Sequence, residues 1–490
     1  MRLYPFIPFV VLFHLAGRLD LMAQEDAPLL EIWEMSDDID SLYNQIMEAH
    51  PDPFFFCSPK KLQQTYYAVC AQLDHPMNRY EFAGIANTLT KLLEDSHTGL
   101  DYNQMSALAF ERNRRMIPIN VITDAERRLI VKNAWDSLVT PGWEVRCING
   151  QDAYEAYLIG LNQYSYTEAD AHVSKQRIAD ALWPLMVANT MVLDSLNTIE
   201  LEDPITGEVN EITVVAYTSD QYYKIRKERV KKGFYDPFQF KIVGEKDYAY
   251  LRVGTFAPAQ KQRFRSQIRN AFKEIENSGV HHLVLDISGN GGGSSDNVEF
   301  LYSFIDTMGY NTPHNVIGIH SRLSDQRSRL AAKPVIKWLM RTFWANNEDV
   351  AGYLKIADLP VGQRDTAYFS TPTVQKKHVF KGDVFLLING MTASAGVDFT
   401  NAFRTRERGI IIGEPCMGPA SGTFGNPALY LLPHSGLKFY IATIRYNYDG
   451  SFMPLRMPIT PDIYVPVLPD DIASQYNCLI EEALQQIEQP

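Results

Sequence analysis

DVFLLINGMTASAGVDFTNAFR, residues 383–404, sets two patterns side by side. Asp383 to Asn389 is a short, continuous apolar run, as in a strand buried on both faces. Val397 to Arg404 has helical spacing. The residues at the join, Thr392, Ala393, Ser394, Ala395 and Gly396, are all small. A strand that turns directly into a helix is the repeating unit of an α/β sheet with crossover connections. A helix N-terminus leaves N–H groups unpaired and carries partial positive charge, and small residues let a ligand come close to them. Ser394 at the tip of such a turn has the placement of a nucleophile on a strand–turn–helix elbow.

The same unit recurs upstream. HHLVLDIS (281–288) reads as a buried strand, SDNVEFLYSFI (295–305) as a helix, and DISGNGGGSSDN (286–297) joins them with small residues. Two such joins facing each other supply two N–H donors for a developing oxyanion, each worth roughly 10²- to 10³-fold in rate. GNGGGS (289–294) has Ser294 at the third glycine of a dinucleotide fingerprint and no lysine to make a phosphate loop. With the strand YAYLRVGTF (248–256) and the helix closed by Gly279, these units define an α/β core over 219–490. An insertion at about 321–375 interrupts it.

Two further regions precede the core. Over 24–108, DIDSLYNQIMEAH, KLQQTYYAVCAQL and RYEFAGIANTLTKLLEDSH each carry one apolar stripe, with Ser36 and Ser58 placed as N-caps. Over 109–218 the pattern shifts to short strands, with a helical insert from about Glu168 to Met191. Residues 1–23 have one early cation, Arg2, an apolar stretch from Leu3 to Ala16, and the small Ala23, the pattern of a secretory signal peptide. Export to a periplasmic or extracellular location is expected, without a stable membrane anchor.

The 46 Lys+Arg against 58 Asp+Glu give a formal net charge of −12 with no long basic block, which argues against nucleic acid as a partner. Cys57, Cys70, Cys147, Cys416 and Cys478 are scattered and form no C-x-x-C pair, so neither a zinc site nor a disulfide scaffold is expected. Cys57 and Cys70 are near enough in sequence to pair in an oxidising compartment, but buried thiols are the simpler reading. No metal or cofactor is expected.

A nucleophilic serine needs a base. LEDSHTGLDY (93–102) crowds Asp95, Ser96, His97 and Thr98 at the end of an amphipathic helix, so His97 is one candidate. His434 in LLPHSGLK is a second. A placed base contributes roughly 10²- to 10⁴-fold.

Taken together, EDSHTGL, DISGNGGGS, MTASAG, IIIGEPCMG and PITPDIYV occur in an order that resembles the C-terminal processing peptidase family of serine peptidases, in the branch that includes the tricorn protease core. The resemblance implies a ClpP/crotonase-like α/β spiral core, an N-terminal helical domain and a divergent PDZ-like domain, the last carried by PGWEVRCING (141–150). It implies Ser394 as nucleophile, His97 as base with Ser96 beside it, and Ala395 with Gly292 or Gly293 as oxyanion donors. The lysine base of the processing branch is missing, since no lysine occurs between Ser394 and Lys438. Ser288 stands where the family has arginine, and Val397 where glutamate is common. The glutamate expected near Leu455 is also missing, and the nearest upstream acid is Asp449. The acid that orients His97 is therefore unassigned. An exported serine endopeptidase acting on extended or unfolded polypeptides is the expected function, and a homo-oligomer is compatible with the sequence. A non-catalytic binder of peptide or apolar ligand, and an esterase for small substrates, are alternatives on the same scaffold.

Overall fold

The structure is a computed structural model that describes residues 29–101, 103–104, 108, 114–164, 167–231, 237–308, 315–328, 333–343, 348–368, 377–448, 455–474 and 477–488. The expected signal segment, Asp449 and parts of the 321–375 insertion lie outside these residues.

Six strands form the central sheet, in the order Phe238–Val243, Tyr248–Val253, His282–Asp286, Asp383–Ile388, Ile410–Gly413 and Ile463–Tyr464. The first pair is antiparallel and the others are parallel. Strands His282–Asp286 and Asp383–Ile388 are neighbours, with Asp286 opposite Leu387. Their apolar runs are buried on both faces, as parallel pairing with flanking helices requires. Helices Lys261–Ser278, Ser295–Tyr302 and Ala395–Thr405 cover one face, through Phe272, Leu301, Phe399 and Phe403 among others. Helix Cys478–Glu488 covers the other through Ala483 and Leu484. This is the expected α/β class.

Helices Ile32–Ala49, Pro59–Cys70 and Arg79–Lys91 form the N-terminal region. Ser58 caps its helix, accepting from Lys61 N at 3.2 Å. Ser36 is a correction: it lies inside the first helix, which starts one turn earlier because Glu31 and Glu34 close a reciprocal capping box. The following sheet orders its strands Ile119–Thr123, Leu129–Ala134, Glu144–Ile148, Leu196–Glu202 and Val209–Val215. The insert is the helix His172–Thr190, packed beneath this sheet with Trp183 and Met186 fully enclosed. One continuous apolar cluster runs through the N-terminal helices, this sheet and the C-terminal residues Phe439 and Ile441. All five cysteines are free thiols, so Cys57 and Cys70 are not paired.

Two features join the early regions to the core. Strand Gly99–Leu100 pairs antiparallel with Lys438–Ile441, and Ala442 N donates to Thr98 Oγ1 at 2.9 Å. The insert helix docks through Arg177, buried and bonded to both Glu414 oxygens, to Asp180 Oδ2 at 2.8 Å and to the Thr123 carbonyl at 2.7 Å. Among the described residues no helix is long and apolar enough to cross a membrane.

Candidate active site

The loops after the two central parallel strands emerge at the same sheet edge, where ligands of α/β sheets bind. They are stitched together. Ala393 N donates to the Asn290 carbonyl at 2.9 Å, Gly289 N to Asn389 Oδ1 at 2.8 Å, and Thr392 Oγ1 to the Ile287 carbonyl at 3.2 Å. Ser394 caps the helix Ala395–Thr405 with φ 51° and ψ −120°, a left-handed geometry that costs a non-glycine residue energy. The cost is met by the packed loops, and it leaves Ser394 partly exposed at the turn.

Gly292 makes this approach feasible. Its φ is +104°, and a Cβ there would sit 2.7 Å from Ser394 Cβ and 2.9 Å from Ala395 N. Its own N–H donates to Asn290 Oδ1 at 2.9 Å. Gly292 is thus corrected from an oxyanion donor to a residue that gives space. The N–H groups of Ala395 and Gly293 meet no acceptor among the described residues, so these two are the donors left to offer.

The strand pairing at Gly99–Leu100 brings His97 to this edge. His97 Nε2 lies 3.1 Å from Ser394 Oγ. His97 Nδ1 lies 3.3 Å from Glu168 Oε1 and 3.6 Å from Asp95 Oδ1. Ser96 Oγ donates to Glu168 Oε1 at 3.0 Å and is 3.1 Å from His97 Nδ1. Thr423 Oγ1 and Phe424 N also donate to Glu168 Oε1. Asp95 accepts from His97 N at 2.7 Å and faces His50 Nε2 at 3.1 Å. The structure thus brings Ser394, His97, Ser96 and Ala395 to one place. His434 is elsewhere, bound to Asp37 at 2.8 Å and edge-on to Trp33.

The acid missed in the sequence is Glu168, at the entry to the insert helix rather than near Leu455. Nothing local marks it in YTEADAHV. The sequence reading gives only a helical insert that separates two strand pairs. In the place where an acid was expected, Arg456 instead reaches Asp170 Oδ1 at 2.8 Å, Glu94 through the same nitrogen, and the Phe56 carbonyl at 3.0 Å. Asp170 N in turn donates to the Arg456 carbonyl, and Ala169 N to the Glu94 carbonyl, each at 3.1 Å. Arg456 therefore ties the stretch before His97 to the stretch after Glu168. Arginine is likewise relocated at Ser288. The Arg252 guanidinium arrives from the adjacent strand, binding Asp286 Oδ2 at 2.5 Å, Ser288 Oγ at 3.2 Å and the Ser288 carbonyl at 3.1 Å.

Burial alone would lower the affinity of His97 for a proton, but the hydrogen bonds and charges of Asp95 and Glu168 prevail and push its pKa up to about 9. Burial likewise opposes ionisation of Asp95, yet the two histidines hold it well below the usual carboxylate range. Glu168 is raised by burial, against the pull of His97. Ligand atoms of Asp95, His97 and Glu168 lie within 4.8 Å of one another, close enough to hold a cation. The same atoms are engaged by Ser96, Thr423, His50 and backbone donors, which suits a proton relay better. A hydroxyl beside an imidazole, an acid behind the imidazole, and open N–H donors at a helix N-terminus can carry out acyl transfer.

Residues 247–465 match the sequence model of peptidase family S41. Among solved structures, mature CPAF complexed with lactacystin is similar at TM-score 0.64 and 13% identity, covering 93% of this chain and 97% of that one. Mature CPAF alone gives TM-score 0.62 and 14% identity, with 93% and 96% covered. The photosystem II D1 C-terminal processing protease gives TM-score 0.43 and 14% identity, with 89% and 94% covered. No curated protein matches the sequence.

Proposed function

We propose that this chain, whose residues 247–465 match the sequence model of peptidase family S41, is a serine-type peptidase, an exported endopeptidase that cuts extended or unfolded polypeptides with Ser394 as nucleophile and His97 as base. The observation that carries this reading is the continuous contact from Ser394 Oγ to His97 Nε2 at 3.1 Å, and from His97 Nδ1 to Glu168 Oε1 at 3.3 Å. The Ser394 hydroxyl proton passes to His97 Nε2 as Oγ attacks the scissile carbonyl carbon. The carbonyl electron pair moves onto oxygen, which the Ala395 and Gly293 N–H groups hold. Collapse of that intermediate expels the amine, which takes the proton from His97. Water then repeats the sequence on the acyl-enzyme. Glu168 stabilises the imidazolium that forms midway and fixes its ring.

The segment 1–23 supports export to a periplasmic or extracellular location. The sheet from Ile119 to Val215 is read as the PDZ-like domain, suited to capturing an extended peptide by strand addition. A fluorophosphonate probe tests the assignment. It should label the parent protein and neither Ser394→Ala nor His97→Ala at a comparable rate. Equal labelling of parent and Ser394→Ala would overturn the nucleophile. Turnover of simple esters with none of peptides would move the function to the esterase alternative, and ligand affinity without turnover by either form would move it to the binder.

A further inference from the structure

One buried acid beside Ser394 has no role in the steps above. Asp398 lies one turn along the helix that Ser394 caps, its N–H donating to the Ser394 carbonyl at 3.1 Å. The residue is 4% exposed. Its Oδ1 is fully enclosed and meets no hydrogen-bond partner, and no ion pair to its carboxylate occurs among the described residues. The negative charges of Glu168 and Glu299 oppose its ionisation, and His97 favours it. Its charge also acts on Tyr446, which is partly exposed. Four residues on from Ser394, Asp398 shares the face of the helix that Ser394 caps.

Burying a carboxylate without a partner is costly, and such groups are retained where something completes them. Burial raises the Asp398 carboxyl well above its ordinary range. The first turn of the helix works the other way, since its dipole favours an anion there. An incoming cation would tip the balance to the ionised form and satisfy the enclosed oxygen.

We propose that Asp398 lies at the floor of the pocket that receives the substrate side chain on the acyl side of the scissile bond, and that it selects lysine or arginine there. The proposal rests on Ser394 acting as nucleophile and adds the substrate class to that reading. Glu299, on the helix Ser295–Tyr302 packed against the same region, adds to the negative field. A site built around a buried polar group discriminates strongly against ligands that leave it unpaired.

Labelling rates of three probes test it. A simple fluorophosphonate scores the reactivity of Ser394. Two peptidyl diphenyl phosphonates of one sequence differ only in carrying lysine or leucine next to the phosphorus. The lysine probe should react at least about 10²-fold faster than the leucine probe. In Asp398→Asn that ratio should fall to within about tenfold, whatever the absolute rates. In the parent protein, with no substitution, benzamidine should protect Ser394 from the simple probe. Reaction with the simple probe but with leucine equal to or faster than lysine overturns the pocket and leaves the nucleophile intact. A ratio unchanged in Asp398→Asn, or no protection by benzamidine, overturns it as well. No reaction of Ser394 with the simple probe overturns both readings.

Discussion

At the scale of single residues, the proposed mechanism makes His97 the group that sets the pH behaviour. It must be neutral to accept the Ser394 proton, yet Asp95 and Glu168 push its pKa up to about 9. The acid limb of kcat/KM should therefore sit near pH 9, far above that of an ordinary histidine. Glu168→Gln removes one of the two carboxylates, so the limb should move to lower pH while the maximal rate falls. A pH–rate profile of both proteins checks this, and an unmoved limb would remove Glu168 from the relay. Gly292→Ala carries a different expectation. The new methyl would meet Ser394 Cβ and Ala395 N at under 3 Å, so kcat/KM should drop at least about 10²-fold through misplacement alone. Gly289→Ala is the control, since its φ of +73° brings backbone strain but nothing lies within 4 Å. Comparable losses in both would point to strain rather than crowding. Ser394, His97 and Ser96 were legible in the sequence because each sits in a dense motif of small or polar residues. Glu168 was not, because one carboxylate among 58 acidic residues gains its meaning only from what lies across from it. Gly292 was named for the wrong reason, since its conformation, and so where its N–H points, is invisible in a run of glycines.

At the scale of elements, apolar periodicity gave the strands and helices of the core, and the helical insert was placed within a few residues of His172–Thr190. Its purpose was not visible. The insert carries the acid, and Arg456 from the far end of the chain holds its entry against Glu94. An exposed ion pair contributes little to stability, but one cation shared by two carboxylates and a carbonyl fixes geometry. Arg456→Ala should therefore lower kcat about tenfold or more and leave KM near the parent value, with only a small change in Tm. Steady-state kinetics on Arg456→Ala, Glu168→Gln and the double variant separate position from bulk structure. If Arg456 acts through Glu168, the double variant is no slower than Glu168→Gln alone. Multiplied losses would show that the clamp serves something else. The N-terminal helix start was misjudged by one turn because two glutamates, rather than a serine, cap it.

At the scale of the whole molecule, the apolar cluster runs unbroken from the N-terminal helices through the second region to Phe439 and Ile441. Long-range pairing of this kind leaves no local pattern to read. It also couples pH to folding. The raised pKa of His97 stabilises the fold fully below its ordinary value of 6.5, and that contribution is lost as pH rises through about 9. The depressed Asp95 contributes above its ordinary value of 3.8 and loses that contribution as pH falls. Stability should thus decline over the alkaline range in which activity climbs. Urea midpoints and rates measured on the same samples from pH 6 to pH 10 check this, and parallel rather than opposed trends would reject the linkage. The placement of Ser394, His97 and Glu168 in separate stretches of chain has a further effect on how the protein comes into being. A ribosome delivers the proton acceptor and its carboxylate first and the attacking hydroxyl long afterwards. On the proposed mechanism there is nothing to cut with until the final strands close over the early turn, so the growing polypeptide is spared during synthesis.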